Sequence, residues 1–243
     1  MIPRDHPRYT SLVTREHLAD YARLGIVSWE GLIAHGRGEA FDYLLGEKTS
    51  ESARRAAQTA AALLRTASHP VISVNGNTAA LAAPLIAHLQ KVSGALVEVN
   101  LFHRTPDRVR QIESLLQSAG ADIFYGEAER LLPLSHDRAF CRRDGIYAAD
   151  VVLVPLEDGD RCGVLAAMGK KVIAIDLNPL SRTSNMATLT VVDEVTRALP
   201  VIADACSSLT DEECGDLVAK LDNKVFLKEA RNEMKARLCH ALD

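Results

Sequence analysis

ADVVLVPLEDGDRCGVLAAMGKKVIAIDLNPLSRTSNM, residues 149–186, is the stretch that decides the fold. Val151, Val152, Leu153 and Val154 form the short continuous apolar run of a strand buried on both faces, and the run breaks at Pro155 into an acidic turn. A second such run occupies 172–175. Between them Val164, Leu165 and Met168 recur at helical spacing and Gly169 closes the helix, so the unit reads as a βαβ crossover. Its two strands empty into PLEDGDR and DLNPLSRT, polar loops that a parallel sheet places on one rim. Ligands of open α/β sheets bind at that rim.

Working outward, four more strands are expected: VISV at 71–74, ALVEVN at 95–100, ADIFYG at 121–126 and TLTVV at 188–192. Alternation with helices gives an α/β class and a doubly wound, mostly parallel, six-stranded sheet. The chain reads as one domain, 1–243, with an N-terminal helical segment 1–68, a core 69–205 and a helical tail 206–243. Pro3 and Pro7 hold the first ten residues extended, and Thr14 is the expected N-cap of a short helix through Leu18, Tyr21 and Leu24. Gly36 and Gly38 put Arg37 on a loop at the N-terminus of a helix carrying Glu39 and Asp42. The spot suits an anion, or a solvated arginine in a helix–helix turn.

An alanine-rich helix follows over 49–67, with Ala53, Ala56, Ala60 and Leu63 on one face. Asn75-Gly76-Asn77, directly after a strand, reads either as an ordinary turn or as a loop whose amides approach a ligand closely. Pro84, Pro106 after Thr105, and Pro200 are expected near helix starts. Residues 126–148 have no clear period. Thr210 and Glu213 form a capping box that opens a charged helix running to Asp243.

Composition narrows the function. At 243 residues and 47 % hydrophobic the chain can bury one substantial core. A net charge of −4 and a pI near 6.1, with no basic run interleaved with aromatics, speak against nucleic acid. Five scattered cysteines without C-x-x-C argue against a disulfide framework and a thiolate zinc site. No apolar run reaches the length of a membrane span, and a reducing cytoplasm is expected. G-x-G-x-x-G after the first strand, G-x-x-x-x-G-K-[ST], G-x-S-x-G and H-x-x-x-H are all missing, which disfavours a dehydrogenase, a P-loop enzyme, a serine hydrolase and a zincin.

What remains is a rim of polar strand ends. Asn75 and Asn77 follow the first strand, and Asn100 and Arg104 the second. Glu157, Asp158 and Asp160 follow the fourth, and Asp176, Asn178, Arg182 and Thr183 the fifth. Arg182-Thr183 offers a guanidinium fork and a hydroxyl suited to phosphoryl oxygens. Asp176 can accept from ribose hydroxyls or hold a metal. The acidic turn alone would be a solvated helix cap at Arg161; on a rim shared with three other polar strand ends it becomes a site for Mg2+ or a substrate ammonium. His35, His103 and His136 stand singly and read as structural or exposed. Taken together, the rim binds a nucleotide or a phosphate ester.

HPRYTSLVTRE, GLIAHGRGEAFDYLLGE, PVISVNGN, VEVNLF.RT, GIYAADVVLVPLEDGDR and KKVIAIDLNPLSRT resemble, in order and spacing, the archaeal phosphopantothenate synthetase family. Members join 4-phosphopantoate to β-alanine with ATP in coenzyme A biosynthesis. The resemblance runs from about residue 6 to about residue 205. It implies a homodimer, a Rossmann-like core, Mg2+-ATP as cosubstrate, and release of AMP and pyrophosphate through an acyl-adenylate. It assigns ATP contacts to Arg15, Arg37, Asp176, Leu177, Asn178, Arg182, Thr183, Glu194 and Val195. For the phosphate of phosphopantoate, Asn75, Gly76 and Asn77 are candidates with Arg104 or His35. Glu157, Asp158 and Asp160 are candidates for the β-alanine ammonium, and Asp158 and Asp160 for Mg2+. Arg182, Asp158 and Asp160 are the catalytic candidates. A non-catalytic nucleotide sensor using the same rim is the competing class.

Overall fold

The computed structural model describes residues 2–6 and 8–239; Pro7 and the last four residues of the expected tail lie outside it. Three helices come first: α1 (Tyr9–Arg23), α2 (Trp29–Leu45) and α3 (Glu51–Thr66). Then β1 (Pro70–Val74), α4 (Gly76–Ser93), β2 (Leu96–Val99) and α5 (Pro106–Ser118) build one side of a sheet. A two-stranded antiparallel pair, β3 (Glu129–Arg130) and β4 (Phe140–Cys141), interrupts it. The chain continues as β5 (Val151–Pro155), α6 (Gly159–Ala167), β6 (Lys171–Ile175), α7 (Arg182–Met186), β7 (Leu189–Val191) and α8 (Val195–Ser208). It ends in α9 (Asp211–Ala219) and α10 (Asn223–Cys239).

The main sheet has five strands, all parallel, in the order β2-β1-β5-β6-β7. Period-2 alternation sorts its side chains onto two buried faces. Ile72, Val74, Leu153, Ile173, Ile175 and Val191 point to a core closed by α3, α4, α5 and α8. Val71, Val152, Val154, Val172 and Ala174 point to the other, closed by α6 and by Leu132, Cys141 and Ile146 of the aperiodic segment. Each such fully buried aliphatic side chain contributes roughly 1.5–3 kcal/mol. No helix among the described residues is long and apolar enough to cross a membrane.

The expected sixth strand, 121–126, is not formed. A single parallel bridge, Val97 to Ile123, stands beyond β2. The cause is the Gln90 side chain of α4, which accepts from Asp122 N at 2.8 Å and donates to Asp122 O at 2.6 Å, so the ladder is diverted to a side chain.

Three helix starts also differ from expectation. Thr14 lies inside α1, which begins at Tyr9. Arg37 lies inside α2, because Ser28 accepts from Gly31 N and Gly46 closes the helix at φ 81°, bounding one helix that runs through both glycines. Pro200 lies inside α8, whose start is set by the Glu194 cap on Thr196 N. Pro84 does open a helical piece, since Ala82 (φ −141°) kinks α4 just before it. The tail is two helices rather than one, with the Thr210–Glu213 box in place. Leu227, Ala230 and Met234 of α10 pack on Leu45, Leu177 and Val192, so the tail backs the rim of its own chain.

Candidate functional site

A cavity of ≈ 860 Å³ opens over the C-terminal ends of β1, β5 and β6 and is roofed by α2. Its floor is the junction of β1 and β5, where the strand order reverses. The chain leaves β1 through Asn75, whose Oδ1 caps α4 by accepting from Thr78 N (2.9 Å). Its Nδ2 donates to Pro155 O (3.1 Å) and Leu156 O (2.9 Å), stitching the two strand ends together. Leu156, at φ 54°, turns the chain out of β5 in the left-handed region, a conformation that costs a non-glycine residue on the order of 1–3 kcal/mol.

Asn75, Gly76 and Asn77 line the cavity, yet their side chains are spent on the fold. Asn77 Nδ2 donates to Gly31 O (2.8 Å), and Gly76 is pressed against Ile26 O and the Arg108 guanidinium so closely that a Cβ would collide with both. What they leave for a ligand is the N-terminus of α4, whose first N–H groups have no intrahelical acceptor. Arg108 stands beside it, donating to Ile26 O (3.2 and 3.1 Å) and His103 O (2.9 Å). Arg104 does not: it lines a second, shallower cavity with Arg142 and Asp137.

The acidic turn divides three ways. Glu157 is sunk beneath the floor, its side chain 1 % exposed, between Arg138 (3.3 Å) and Arg161. Burial opposes its ionisation, but the two guanidinium groups win and hold the carboxyl below the ordinary range. It lines the cavity with its carboxylate already paired to those two cations. Asp158 faces the cavity, 3.4 Å from Arg138 Nη2, and its carboxyl is raised by burial and by the neighbouring charges of Glu157 and Asp160 against the pull of Arg138. Asp160 is outside the cavity, accepting from His136 Nε2 at 2.8 Å, while Phe102 stacks on that imidazole. Among the described residues no three His, Cys, Asp or Glu side chains converge on one point. The donor set therefore suits a Mg2+ carried in by phosphates and met by one carboxylate, Asp158, rather than a ready-made cage.

On the β6 side, Asp176 organises its own loop. It accepts from Asn178 N (2.9 Å) and from the Ser181 and Ser184 hydroxyls, and burial raises its carboxyl. Thr183 Oγ1 donates to Glu157 O (2.7 Å), tying the two rim loops together. Asp176, Leu177, Asn178 and Thr183 all line the cavity, as do Glu194 and Val195 at the start of α8. Arg182 does not; it is exposed, with its Cβ against Gly159.

The roof carries His35, half-buried and pushed to lower pKa by desolvation, and Arg37, which is exposed and has no hydrogen bond or ion pair among the described residues. Arg15 stays outside the cavity and braces the roof through Glu39 (2.7 Å). Asp42 of the roof helix takes Arg197 Nη2 at 2.5 Å and latches α2 to α8. Arg138, Arg108 and Arg197 were missed. Arg138 sits in the aperiodic segment, where no spacing marks it, and the other two lie on ordinary amphipathic helices.

A nucleotide-sized cavity at a sheet's order reversal, with free N–H groups at one end and a hydroxyl- and carboxylate-rich loop at the other, fits a phosphorylated substrate beside a nucleotide. Comparison with known proteins agrees. Residues 52–237 match the family model for phosphopantothenate/pantothenate synthetase. A 4-phosphopantoate–β-alanine ligase of Methanospirillum hungatei JF-1 is 60 % identical over 243 residues, covering 100 % of both chains. Ligases of the same name from Methanosarcina mazei and Thermococcus kodakarensis are 52 % and 45 % identical, each over 98 % of this chain and 95 % and 93 % of their own. The chain belongs to the phosphopantothenate/pantothenate synthetase family.

Proposed function

We propose that this chain is an ATP-dependent ligase that condenses 4-phosphopantoate with β-alanine to 4′-phosphopantothenate, a step in coenzyme A biosynthesis, in the cytoplasm. What carries the reading is 60 % identity over the whole of both chains to a ligase of that name, on a cavity with room for two substrates. A non-catalytic sensor is not favoured, since the named relatives are ligases.

Joining a carboxylate to an amine in water is uphill, so the carboxylate is first activated. A carboxylate oxygen attacks the α-phosphorus of ATP, the bond to the β-phosphate breaks, and pyrophosphate leaves with the electron pair. The amine of β-alanine then attacks the acyl carbon and AMP departs. Mg2+ bound to ATP would neutralise triphosphate charge against Asp158. This chain's residues position the partners and supply charge where phosphoryl oxygens gather it. The nucleotide lies between the β6 loop (Asp176, Leu177, Asn178, Thr183) and the start of α8 (Glu194, Val195), with Arg37 of the roof reaching its phosphates. The substrate phosphate takes the N-terminus of α4 beside Arg108, with His35 above. Asp158 receives the amine. Arg182 and Asp160 bound the site from outside and Arg15 holds the roof.

The sheet is read as a Rossmann-like doubly wound sheet whose third strand is reduced to the Val97–Ile123 bridge, and the chain as one domain built around the 69–205 core. The enzyme acts as a homodimer. Trp29, Ile33 and Tyr43 of α2, 70 %, 66 % and 43 % exposed, lie along one stripe of the helix, the kind of uncovered apolar seam a second copy would bury. Incubating the protein with ATP, Mg2+, 4-phosphopantoate and β-alanine is the decisive assay. AMP is the expected product; ADP would mean an acyl-phosphate route, and no turnover would refute the ligase.

A further inference from the structure

We propose that Arg138 receives the reacting carboxylate of the acid substrate on the cavity floor, taking the place that Asp158 now fills. The inference rests on the ligase reading above and names the group that would hold the acid for activation.

The arginines of the cavity are not equivalent. Arg197 is closed by Asp42 and Asp193, Arg108 is spent on backbone carbonyls, Arg8 leans on Tyr43 at the exposed edge, and Arg37 stands free on the roof. Arg138 alone lies on the floor, with a side chain only 6 % exposed. Its Nη1 is fixed by Asn100 O (3.0 Å) and Glu157 (3.3 Å), so the guanidinium is oriented before any ligand arrives.

Charge is unevenly answered there. Glu157 lies between two guanidinium groups, and Arg161, 0 % exposed, is closed by Glu157 and Ser73. One carboxylate cannot fully neutralise two buried cations. Beyond Glu157, Arg138 pairs among the described residues only with Asp158, whose side chain is 49 % exposed and 3.4 Å away. A loose, half-solvated carboxylate on a buried arginine marks where a better-placed carboxylate would bind.

The fork that a carboxylate grips side-on is the Nε/Nη2 edge. On Arg138 that edge is unsaturated: Nε is buried without an acceptor, and Nη2 has Asp158 alone. Among the described residues five buried side-chain polar atoms lack partners, and Arg138 is the one of those residues that lines the cavity. An orphaned donor at a ligand cavity points to a bound group that completes it.

Pairing the substrate carboxylate with Arg138 reduces its repulsion from the triphosphate while leaving a lone pair for the α-phosphorus.

Two variants test the pairing. Exchange of labelled pyrophosphate into ATP, dependent on 4-phosphopantoate and run without β-alanine, reports activation. AMP release with β-alanine reports the whole reaction. Arg138→Lys keeps the charge but loses the fork, and should raise KM for 4-phosphopantoate in exchange about tenfold with KM for ATP changed by less than about twofold. Asp158→Asn should move the same KM down by a fewfold, because the competing carboxylate is gone. Shifts of one KM in opposite directions cannot come from misfolding. Unchanged KM for the acid in Arg138→Lys, an equal rise for ATP, or a raised KM for the acid in Asp158→Asn would overturn the proposal. A wild-type protein that neither exchanges nor releases AMP would instead overturn the ligase reading.

Discussion

Replacing Asn75 tests whether its side chain serves the fold rather than the substrate. Asn75→Ala removes a helix cap (Oδ1 to Thr78 N, 2.9 Å) and two donors that hold Pro155 O and Leu156 O at the β1–β5 junction. Loss of the cap costs about 1 kcal/mol. Leaving two buried carbonyls without those donors adds roughly 1–3 kcal/mol. A total near 3 kcal/mol lowers Tm by about 6–12 °C in a chain of this size. Asn75→Ser, which retains a capping oxygen and loses the Nδ2 donors, should fall between wild type and Asn75→Ala. Thermal unfolding followed by circular dichroism at equal protein concentration measures both. If Asn75→Ala melts within about 2 °C of wild type while KM for the acid rises, the residue is a substrate ligand and the structural assignment is wrong.

Gly76→Ala drives a methyl group into Ile26 O and Arg108, and overpacking there should cost about 1–3 kcal/mol in urea unfolding; wild-type stability would mean the α1–α2 turn yields freely. Glu157 is held below the ordinary carboxylate range by Arg138 and Arg161 despite its burial, so its stabilisation is complete above the unfolded value of about 4.3 and is lost as pH falls through the lower folded value. The urea-midpoint gap between wild type and Glu157→Gln should therefore be widest near neutrality and narrow below about pH 4; a gap independent of pH would show that Glu157 stabilises by packing alone. Ile33→Glu places a charge in the exposed seam of α2, and light scattering should then report a monomer; an unchanged dimer mass would move the interface elsewhere.

How much of this was legible in the sequence follows from what each residue's role depends on. Val151 to Val154 and 172–175 declared parallel buried strands because burial on both faces leaves continuous apolar runs, and five of the six expected strands formed. The sixth failed for a reason no propensity carries, the reach of the Gln90 side chain to the Asp122 backbone. Gly36 and Gly38 suggested a loop because glycine weakens helices, but Ser28 and Gly46 bound one helix around them and Gly38 packs beside Leu177. The rim was found at the strand ends, where topology puts it. The charges on it were assigned less well, since Arg138 comes from an aperiodic stretch and Glu157 differs from Asp158 only by which way the turn points it.

The alanine face of α3 packs against α8, its partner in the same core, although one helix precedes the sheet and the other follows its last strand. β1 likewise pairs with β5 across most of the intervening chain. Contacts of such sequence separation form late, because a long loop must close before they repay its entropy. During synthesis Ala53, Ala56 and Ala60 of α3 stay without their α8 cover until the far half emerges. Chains cut before α8 would then be held in an open, protease-sensitive form, and the order of synthesis becomes part of how this molecule reaches its native state.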